Sequence, residues 1–223
     1  MEKVIRAPIC TFVGHVDHGK SSILDNIRGT SIVKSEAGGI TQKISSSFIP
    51  ILTIKNLCSN LLELFKTELI VPGLLLIDTP GHAAFSNLRK RGGNLADIAI
   101  VVIDINEGIM PQTKEAIEVL KSYKTPFLIA LNKIDLIPGW KTNNDINLLQ
   151  NINSQAQSTS TALDYKIYEI VGKLYELYGF DSERFDRVED FTKKIVLIPC
   201  SAKTGEGIPE LLMFIAGIAQ RYL

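Results

Sequence analysis

The sequence predicts an α/β fold in which a doubly wound, mostly parallel sheet is flanked by helices. Short apolar runs alternate with helix-spaced stretches along the 223 residues. Polar motifs follow several of these runs directly, as they do at the carboxyl edge of an open parallel sheet. Because a hydrophobic content of 45% fills one core at this length, we expect residues 1–223 to form a single domain.

The strands are predicted from short apolar runs rich in Ile, Leu, Val and Phe, which are typical of buried strands. They are expected at residues 9–13, 43–52, 74–78, 98–104, 126–131 and 195–200. Apolar side chains at helical spacing predict helices at residues 22–27, 56–69, 114–122, 143–178 and 208–222. The longest of these carries an apolar stripe of Leu163, Ile167, Ile170, Val171, Leu174 and Leu177, and its polar stretch at 151–160 is a candidate break.

The first polar motif is a phosphate-binding loop. Residues 14–21 read GHVDHGKS, which matches G-x-x-x-x-G-K-[ST] between the first strand and the first helix. The predicted nucleotide contacts are Val16, Asp17, His18, Gly19, Lys20, Ser21 and Ser22. Backbone N–H groups and the helix N-terminus surround phosphate oxygens in such a loop, while Lys20 reaches the β and γ phosphates and Ser21 can ligate Mg²⁺.

Three further motifs follow later strands, so all four loops open on one edge of the sheet. Asp78 begins DTPG at 78–81, beside the phosphate loop, where it can hold Mg²⁺ through water. NKID at 132–135 follows the strand at 126–131, and SAK at 201–203 follows the last strand. This order of motifs is typical of a phosphate-loop NTPase.

Together the motifs resemble the translation-factor class of GTPases, in which an N-K-x-D loop and an S-A-K loop read the base. The resemblance assigns this role to Asn132, Lys133, Asp135, Ser201, Ala202 and Lys203. Guanine fits the chemistry, because an ionised Asp135 only accepts hydrogen bonds and guanine offers N1–H and the N2 amine side by side. The Ala202 N–H would meet guanine O6, and the Lys133 and Lys203 stems would pack on the ring faces.

The resemblance narrows to initiation factors. EAGGITQ at 36–42, DTPGH at 78–82 and MPQT at 110–113 are similar to motifs of the bacterial factor-two and archaeal/eukaryotic five-B types. LRKRGGNLADIA at 88–99, Gly139-Trp140 and an insertion at about 54–73 look like the five-B type; a second insertion is expected at about 141–190. Lys43 and Ala83 depart from the family, which usually has histidine and glutamate there.

The resemblance also implies roles in the switch regions. Thr41 would ligate Mg²⁺ and sense the γ phosphate, which we favour over an ordinary loop hydroxyl. Gly81 would give its N–H to the γ phosphate, and His82 would orient the attacking water. Asp17 has two open roles: holding a monovalent cation, Na⁺ or K⁺, or shaping the turn. The His15 and His18 rings are interpreted as bystanders, because the loop works through backbone N–H groups.

The function implied is a Mg²⁺-dependent GTPase that binds GTP and GDP and acts as a switch on the ribosome, promoting joining of the large subunit during initiation. Further domains of the family, absent from this chain, recognise initiator tRNA. We expect a monomer in the cytoplasm. Two alternatives stay open: another translational GTPase, such as an elongation or selenocysteine-specific factor, and a guanine-nucleotide-binding module that never hydrolyses.

Composition argues against other classes. Lys plus Arg equals Asp plus Glu at 24 each, and this neutral balance disfavours a domain that binds nucleic acid by charge alone. A local basic patch at residues 89–91 remains a candidate for such binding. The three cysteines form no C-x-x-C and are expected to be reduced core thiols. The sequence has neither a signal peptide nor an apolar run near the roughly 18 residues that span a bilayer, so no membrane partner is expected.

Overall fold

The computed structural model describes residues 5–34, 46–66, 68–78 and 96–222. Its strands are β1 (Ile9–Gly14), β2 (Ser46–Pro50), β3 (Gly73–Asp78), β4 (Ile98–Asp104), β5 (Phe127–Asn132), β6 (Ser182–Arg184) and β7 (Ile195–Pro199). They form one sheet in the order β2-β3-β1-β4-β5-β7-β6. Of the neighbouring pairs, β2 and β3 are antiparallel and the others are parallel. The predicted α/β fold with a mostly parallel sheet is confirmed.

The described helices connect these strands. They are α1 (Lys20–Lys34), α2 (Ile51–Leu57), α3 (Ser59–Leu64), α4 (Pro111–Tyr123), α5 (Leu148–Ser154), α6 (Gln157–Tyr178) and α7 (Ile208–Ala219), with short 3-10 turns at Ile134–Leu136 and Gln220–Tyr222. All seven residues of β4 are buried. A central parallel strand buried along its whole length indicates that both faces of the sheet are covered.

The core contains the strand interiors and one stripe of each larger helix. On α6 the buried apolar side chains are Leu163, Ile167, Ile170 and Leu174, which repeat at intervals of three and four residues. The predicted stripe is wrong at its end, because Leu177 is 45% exposed one residue before the helix terminates. The three cysteines are buried and free. Among the described residues, no helix is long and apolar enough to cross a membrane.

Several predicted boundaries need correction. The strand expected at 43–52 ends at Pro50, whose extended backbone (φ −62°, ψ 147°) is the N-cap of α2. The helix expected at 56–69 is two short helices, because Cys58 between them leaves helical geometry (φ −109°, ψ 11°). The polar stretch does break the long helix, at residues 155–156, where both residues are extended.

One strand was missed. β6 has three residues, SER, and no apolar alternation that a sequence pattern could detect. It pairs with β7 at the edge of the sheet. Arg184 is buried there because its guanidinium is paired with Asp164 and Asp186 at 2.8 and 2.6 Å. Buried charge in ion pairs replaces the apolar burial on which strand prediction depends.

Candidate functional site

The phosphate-loop motif occupies the turn between β1 and α1, and its backbone needs glycine. Gly14 and Gly19 have φ of +141° and +90°. A Cβ on Gly14 would lie 2.3 Å from Val102 O, and one on Gly19 would lie 2.2 Å from Asn132 Nδ2. Both glycines therefore allow β4 and β5 to approach the loop closely. Asp17 adopts a left-handed conformation with φ of +64°, which Asp tolerates better than most residues.

Side chains hold this loop from several directions. Lys20 Nζ donates to Gly14 O at 3.0 Å and to His15 O at 2.6 Å, across the mouth of the turn. Burial lowers the pKa of Lys20, and the carboxylates of Asp78 and Asp17 oppose this change. From the first turn of α4, Gln112 Oε1 accepts from Val16 N at 2.9 Å. These contacts fix the loop's shape, which is a precondition for binding anions by backbone N–H groups.

The His18 ring is fully buried beneath the loop. Its Nδ1 lies 3.4 Å from Val102 O and its Nε2 lies 3.2 Å from Glu107 Oε2. Burial lowers the pKa of His18, while Glu107 and the Val102 carbonyl oppose that shift. The ring thus packs under the turn and bonds within the protein. His15 meets it edge-on, with ring centroids 5.1 Å apart.

The carboxyl end of β3 brings a second group to the phosphate loop. Ser21 Oγ, in the first turn of α1, donates to Asp78 Oδ2 at 3.2 Å. Two hard oxygen donors side by side next to a phosphate loop fit Mg²⁺, which takes few protein ligands and completes its shell with water and phosphate. Within the described ranges no cluster of three His, Cys, Asp or Glu side chains could hold a metal without such help.

The two base-reading motifs meet at the ends of β5 and β7. Asn132 Nδ2 donates to His18 O at 2.8 Å, and Asn132 Oδ1 accepts from Ala202 N at 2.9 Å. One buried amide thus joins the phosphate loop to the S-A-K loop. Ser201 Oγ donates to Asp135 Oδ1 at 2.6 Å, so the second loop also orients the carboxylate of the first. The Ala202 N–H, expected to meet a base oxygen, has an acceptor within the protein.

Lys133 is fixed by an acidic residue that no motif had indicated. Its Nζ lies 2.8 Å from Asp104 Oδ2 at the end of β4, and its backbone is left-handed (φ +69°). Burial alone would raise the pKa of Asp104, but hydrogen bonds from Lys133 and Asn106 outweigh it and hold that pKa below its ordinary value. Lys203, in the other loop, is exposed.

The structure thus brings together the predicted contacts from residues 16–22, Asp78, residues 132–135 and residues 201–203 at one sheet edge. Thr41, Gly81 and His82 lie outside the described residues, as do Lys43, Ala83 and the basic patch at 89–91. Sequence reasoning missed the supporting residues Gln112, Asp104 and Glu107. It also missed Glu206, in the loop between β7 and α7, whose backbone oxygen accepts from Ser201 N at 2.9 Å. Two signals were available: Asp104 ends a strand as Asp78 does, and Gln112 belongs to the MPQT motif that carried the resemblance.

Known proteins are similar to this chain in sequence. The chain is 55% identical over 221 residues to a probable translation initiation factor IF-2 of Methanopyrus kandleri and 56% identical over 221 residues to that of Thermococcus sibiricus. Each alignment covers 99% of this chain and 37% of the relative. The chain therefore spans little more than a third of the length of these curated relatives.

Solved structures agree. The crystal structure of GDP-bound aIF5B from Aeropyrum pernix has a TM-score of 0.90 and 52% identity, covering 98% of this chain and 36% of that one. The elongation factor SelB of Methanococcus maripaludis in its apo form shares the fold alone, with a TM-score of 0.59, 20% identity and coverage of 97% and 35%. The predicted resemblance to the five-B type is confirmed. Residues 5–221 match the elongation factor Tu GTP binding domain, and the chain belongs to this family of GTPase domains.

Proposed function

We propose that this chain is the GTPase domain of a translation initiation factor of the five-B type, which binds GTP and GDP and hydrolyses GTP on the ribosome as the large subunit joins. The observation that carries the proposal is a pair of hydrogen bonds made by the Asn132 side chain. Its Nδ2 donates to His18 O, and its Oδ1 accepts from Ala202 N. One buried amide thus joins a phosphate loop to a base-reading loop at one edge of the sheet, which supports a nucleotide site there.

Base recognition would centre on Asp135. Ser201 donates to one of its carboxylate oxygens, which supports a fixed orientation towards guanine N1–H and N2. The Ala202 N–H donates to Asn132 Oδ1 and would donate to guanine O6 as well, in a bifurcated hydrogen bond. The stems of Lys133 and Lys203 would cover the ring faces, and Asn132 would hold the two loops at the right separation.

Phosphate binding would use the loop from Val16 to Ser22. Its N–H groups and Lys20 Nζ would neutralise charge on the β and γ phosphates, in exchange for the loop carbonyls that Lys20 now contacts. Ser21, Thr41 and, through water, Asp78 would hold Mg²⁺, which supplies charge stabilisation to the transferring phosphoryl group when bound. Asp17 keeps its two proposed roles: it would hold a monovalent cation, Na⁺ or K⁺, or shape the turn with its left-handed backbone.

Hydrolysis would depend on the DTPGH segment at 78–82, where Gly81 would give its N–H to the γ phosphate and His82 would orient the attacking water. We expect His82→Ala to bind GTP and GDP as the wild type does but to lose ribosome-stimulated hydrolysis by about 10² to 10⁴ in rate, the range for such groups. Because water alignment stabilises the transition state much more than the ground state, the substitution should lower the hydrolysis rate and leave nucleotide affinity nearly unchanged.

The measurement is single-turnover GTP hydrolysis on ribosomes, with nucleotide affinity measured in parallel. His15→Ala is the matched control, since that ring lies in the phosphate loop and would not touch the water. A His82→Ala rate within about threefold of wild type, far smaller than the expected loss, would reject the assignment. A wild-type chain that binds guanine nucleotides but shows no turnover, with or without ribosomes, would instead be a binding module.

The remaining partners belong to the same proposal. Because the relatives are much longer, initiator tRNA would be bound by regions outside this chain. We propose that residues 1–223 act as one monomeric GTP-binding domain, without a membrane partner and in the cytoplasm. Residues 54–73 and 141–190 would be insertions; the described parts of them contain α3 and the α5–β6 region.

A further inference from the structure

Glu206 is a buried carboxylate that none of the motif assignments uses. It lies in the loop between β7 and α7 and is 6% exposed. It accepts hydrogen bonds from Asn151 Nδ2 at 2.5 Å, Thr204 Oγ1 at 2.8 Å and Asn143 N at 3.3 Å. Trp140 Nε1 lies 3.3 Å from each of its oxygens. All four donors are uncharged, so the carboxylate organises polar groups instead of forming an ion pair.

The backbone of Glu206 closes the loop that contains Ser201. Glu206 O accepts from Ser201 N at 2.9 Å, and Ser201 O accepts from Gly205 N at 2.9 Å. The Ser201 hydroxyl also accepts from Thr204 N at 3.2 Å while it donates to Asp135 at 2.6 Å. The position of Ser201 Oγ, and through it the carboxylate of Asp135, is therefore set by the turn that ends at Glu206.

The side chain of Glu206 joins this turn to the segment that follows the N-K-x-D loop. Trp140, Asn143 and Asn151 all come after Asp135 in the chain and all donate to Glu206. A further bond runs from Asn144 Nδ2 to Thr204 O at 2.9 Å. Because buried donors that lose their acceptor are costly, the two base-reading loops are expected to move together for as long as the Glu206 contacts persist.

We infer that Glu206 is a positioning residue for guanine recognition: it fixes the Ser201 turn against residues 139–151 and so sets the orientation of the Asp135 carboxylate. The inference rests on the proposed function, since it concerns the same base site. Trp140 is the single tryptophan of the chain, and its indole N–H points at Glu206. Its fluorescence therefore reports directly on this contact.

The test is Glu206→Gln, a nearly isosteric change that removes the charge and one acceptor oxygen. Either amide orientation then faces donors with an NH2 group: Thr204 Oγ1 at the Oε2 position, or Asn151 Nδ2 and Asn143 N at the Oε1 position. GDP and inosine diphosphate are titrated against wild type and variant, by calorimetry and by tryptophan emission. Inosine lacks the N2 amine that Asp135 accepts from. We expect the preference for GDP over inosine diphosphate to fall by about tenfold, the scale of one misaligned hydrogen bond to a charged group. Inosine diphosphate should weaken less than GDP, because inosine offers Asp135 only N1–H.

Glu210→Gln is the matched control. Glu210 is also buried, at 2% exposure, and accepts from Leu148 N at 2.8 Å, a bond that the amide oxygen of glutamine can also accept. Its variant should keep the wild-type nucleotide ratio and tryptophan emission. If Glu206→Gln weakens GDP and inosine diphosphate equally, Glu206 serves folding only and the inference is overturned.

A milder variant keeps the test decisive if Glu206→Gln does not fold. Trp140→Phe removes the indole N–H donor to Glu206 and should lower the same GDP preference, measured by calorimetry, by a smaller factor. An unchanged preference in this variant would also overturn the inference. A wild-type chain that fails to prefer GDP over ADP would refute the proposed function instead, which separates the two failures.

Discussion

Asp135 has one short bond, from Ser201 Oγ at 2.6 Å, and that bond decides how a substituted side chain would sit. A hydroxyl donates to oxygen, so an asparagine here would place its oxygen towards Ser201 and its nitrogen towards the base. A single residue therefore determines which hydrogen-bond pattern the site offers. The fold need not change, because Ser201 keeps an acceptor.

The consequence is a predicted change of base preference in Asp135→Asn. Guanine nucleotides should bind about 10-fold to 100-fold more weakly, as expected for loss of hydrogen bonds to a charged acceptor. Xanthine carries an oxygen where guanine carries its amine, so xanthine nucleotides should gain relative to guanine. Competition binding with GDP and xanthosine diphosphate measures this change of base preference. Asp181→Asn, an exposed acid, is the control, and a variant that retains full GTP preference would show that Asp135 is not the base reader.

Sequence reasoning at this scale identified the residues that face a ligand and missed those behind them. Lys20, Asp78 and Asp135 stand in motifs whose spacing carries chemistry. Glu206 and Asp104 act through partners that are distant along the chain, such as Asn151 and Lys133. No local pattern encodes such pairs, because only the packing of strands and loops brings them together.

The stability of α5 depends on the contacts at its N-terminal end. It has seven residues, too few for a helix that is stable by itself. Asn147 caps it: its side chain accepts from Gln150 N at 2.9 Å, and Gln150 Oε1 accepts from Asn147 N at 3.3 Å. This is a capping box. Glu210 adds an acceptor for Leu148 N, so the helix start is fastened both locally and to α7.

Removing the cap should therefore have a measurable cost. We expect Asn147→Ala to lower the free energy of unfolding by about 1 kcal/mol, the usual value for an N-cap. Urea denaturation followed by circular dichroism measures it. Asn153→Ala is the matched control, since Asn153 is exposed on the same helix and alanine there should be neutral or slightly stabilising. Equal losses in both variants would contradict a specific role of the cap.

Strands were easier to predict than helix boundaries for a physical reason. β4 was expected at 98–104 and lies there, because a strand buried on both faces is continuously apolar. The division between α2 and α3 depends on the backbone at Cys58, a residue with no breaking tendency of its own. The break before α6 was visible as a polar stretch, but its position follows from Gln155, which folds back to bond Asn151 and Lys141.

For the whole molecule, the decisive fact is that the six parallel strands, β1, β3, β4, β5, β6 and β7, direct their carboxyl ends to one edge. Phosphate and base sites are then held by the same rigid core, so nucleotide binding should stabilise the domain as a unit. This placement was predictable, since apolar strands followed by polar motifs define it. The coupling between the loops was not, because Asn132 and Ser201 reveal it only by contact.

GTP and GDP should raise the melting temperature, whereas ATP at equal concentration should not. A ligand at about 100 times its dissociation constant adds roughly 2.7 kcal/mol to the folded state. For a domain of this size that corresponds to a shift of roughly 5 to 10 °C. Thermal shift with and without Mg²⁺ measures it, with ADP as a further control. Equal shifts with adenine and guanine nucleotides would refute the guanine assignment.

The two outer strands of the sheet have a consequence for colloidal behaviour. An apolar sheet with long, exposed edge strands would be a template for pairing with strands of other molecules. Here one margin is β2, five residues long and terminated by a proline, and the other is β6, three residues long with a buried, ion-paired arginine. Intermolecular strand addition at either margin finds only a short run of backbone, so aggregation should require prior detachment of an outer strand.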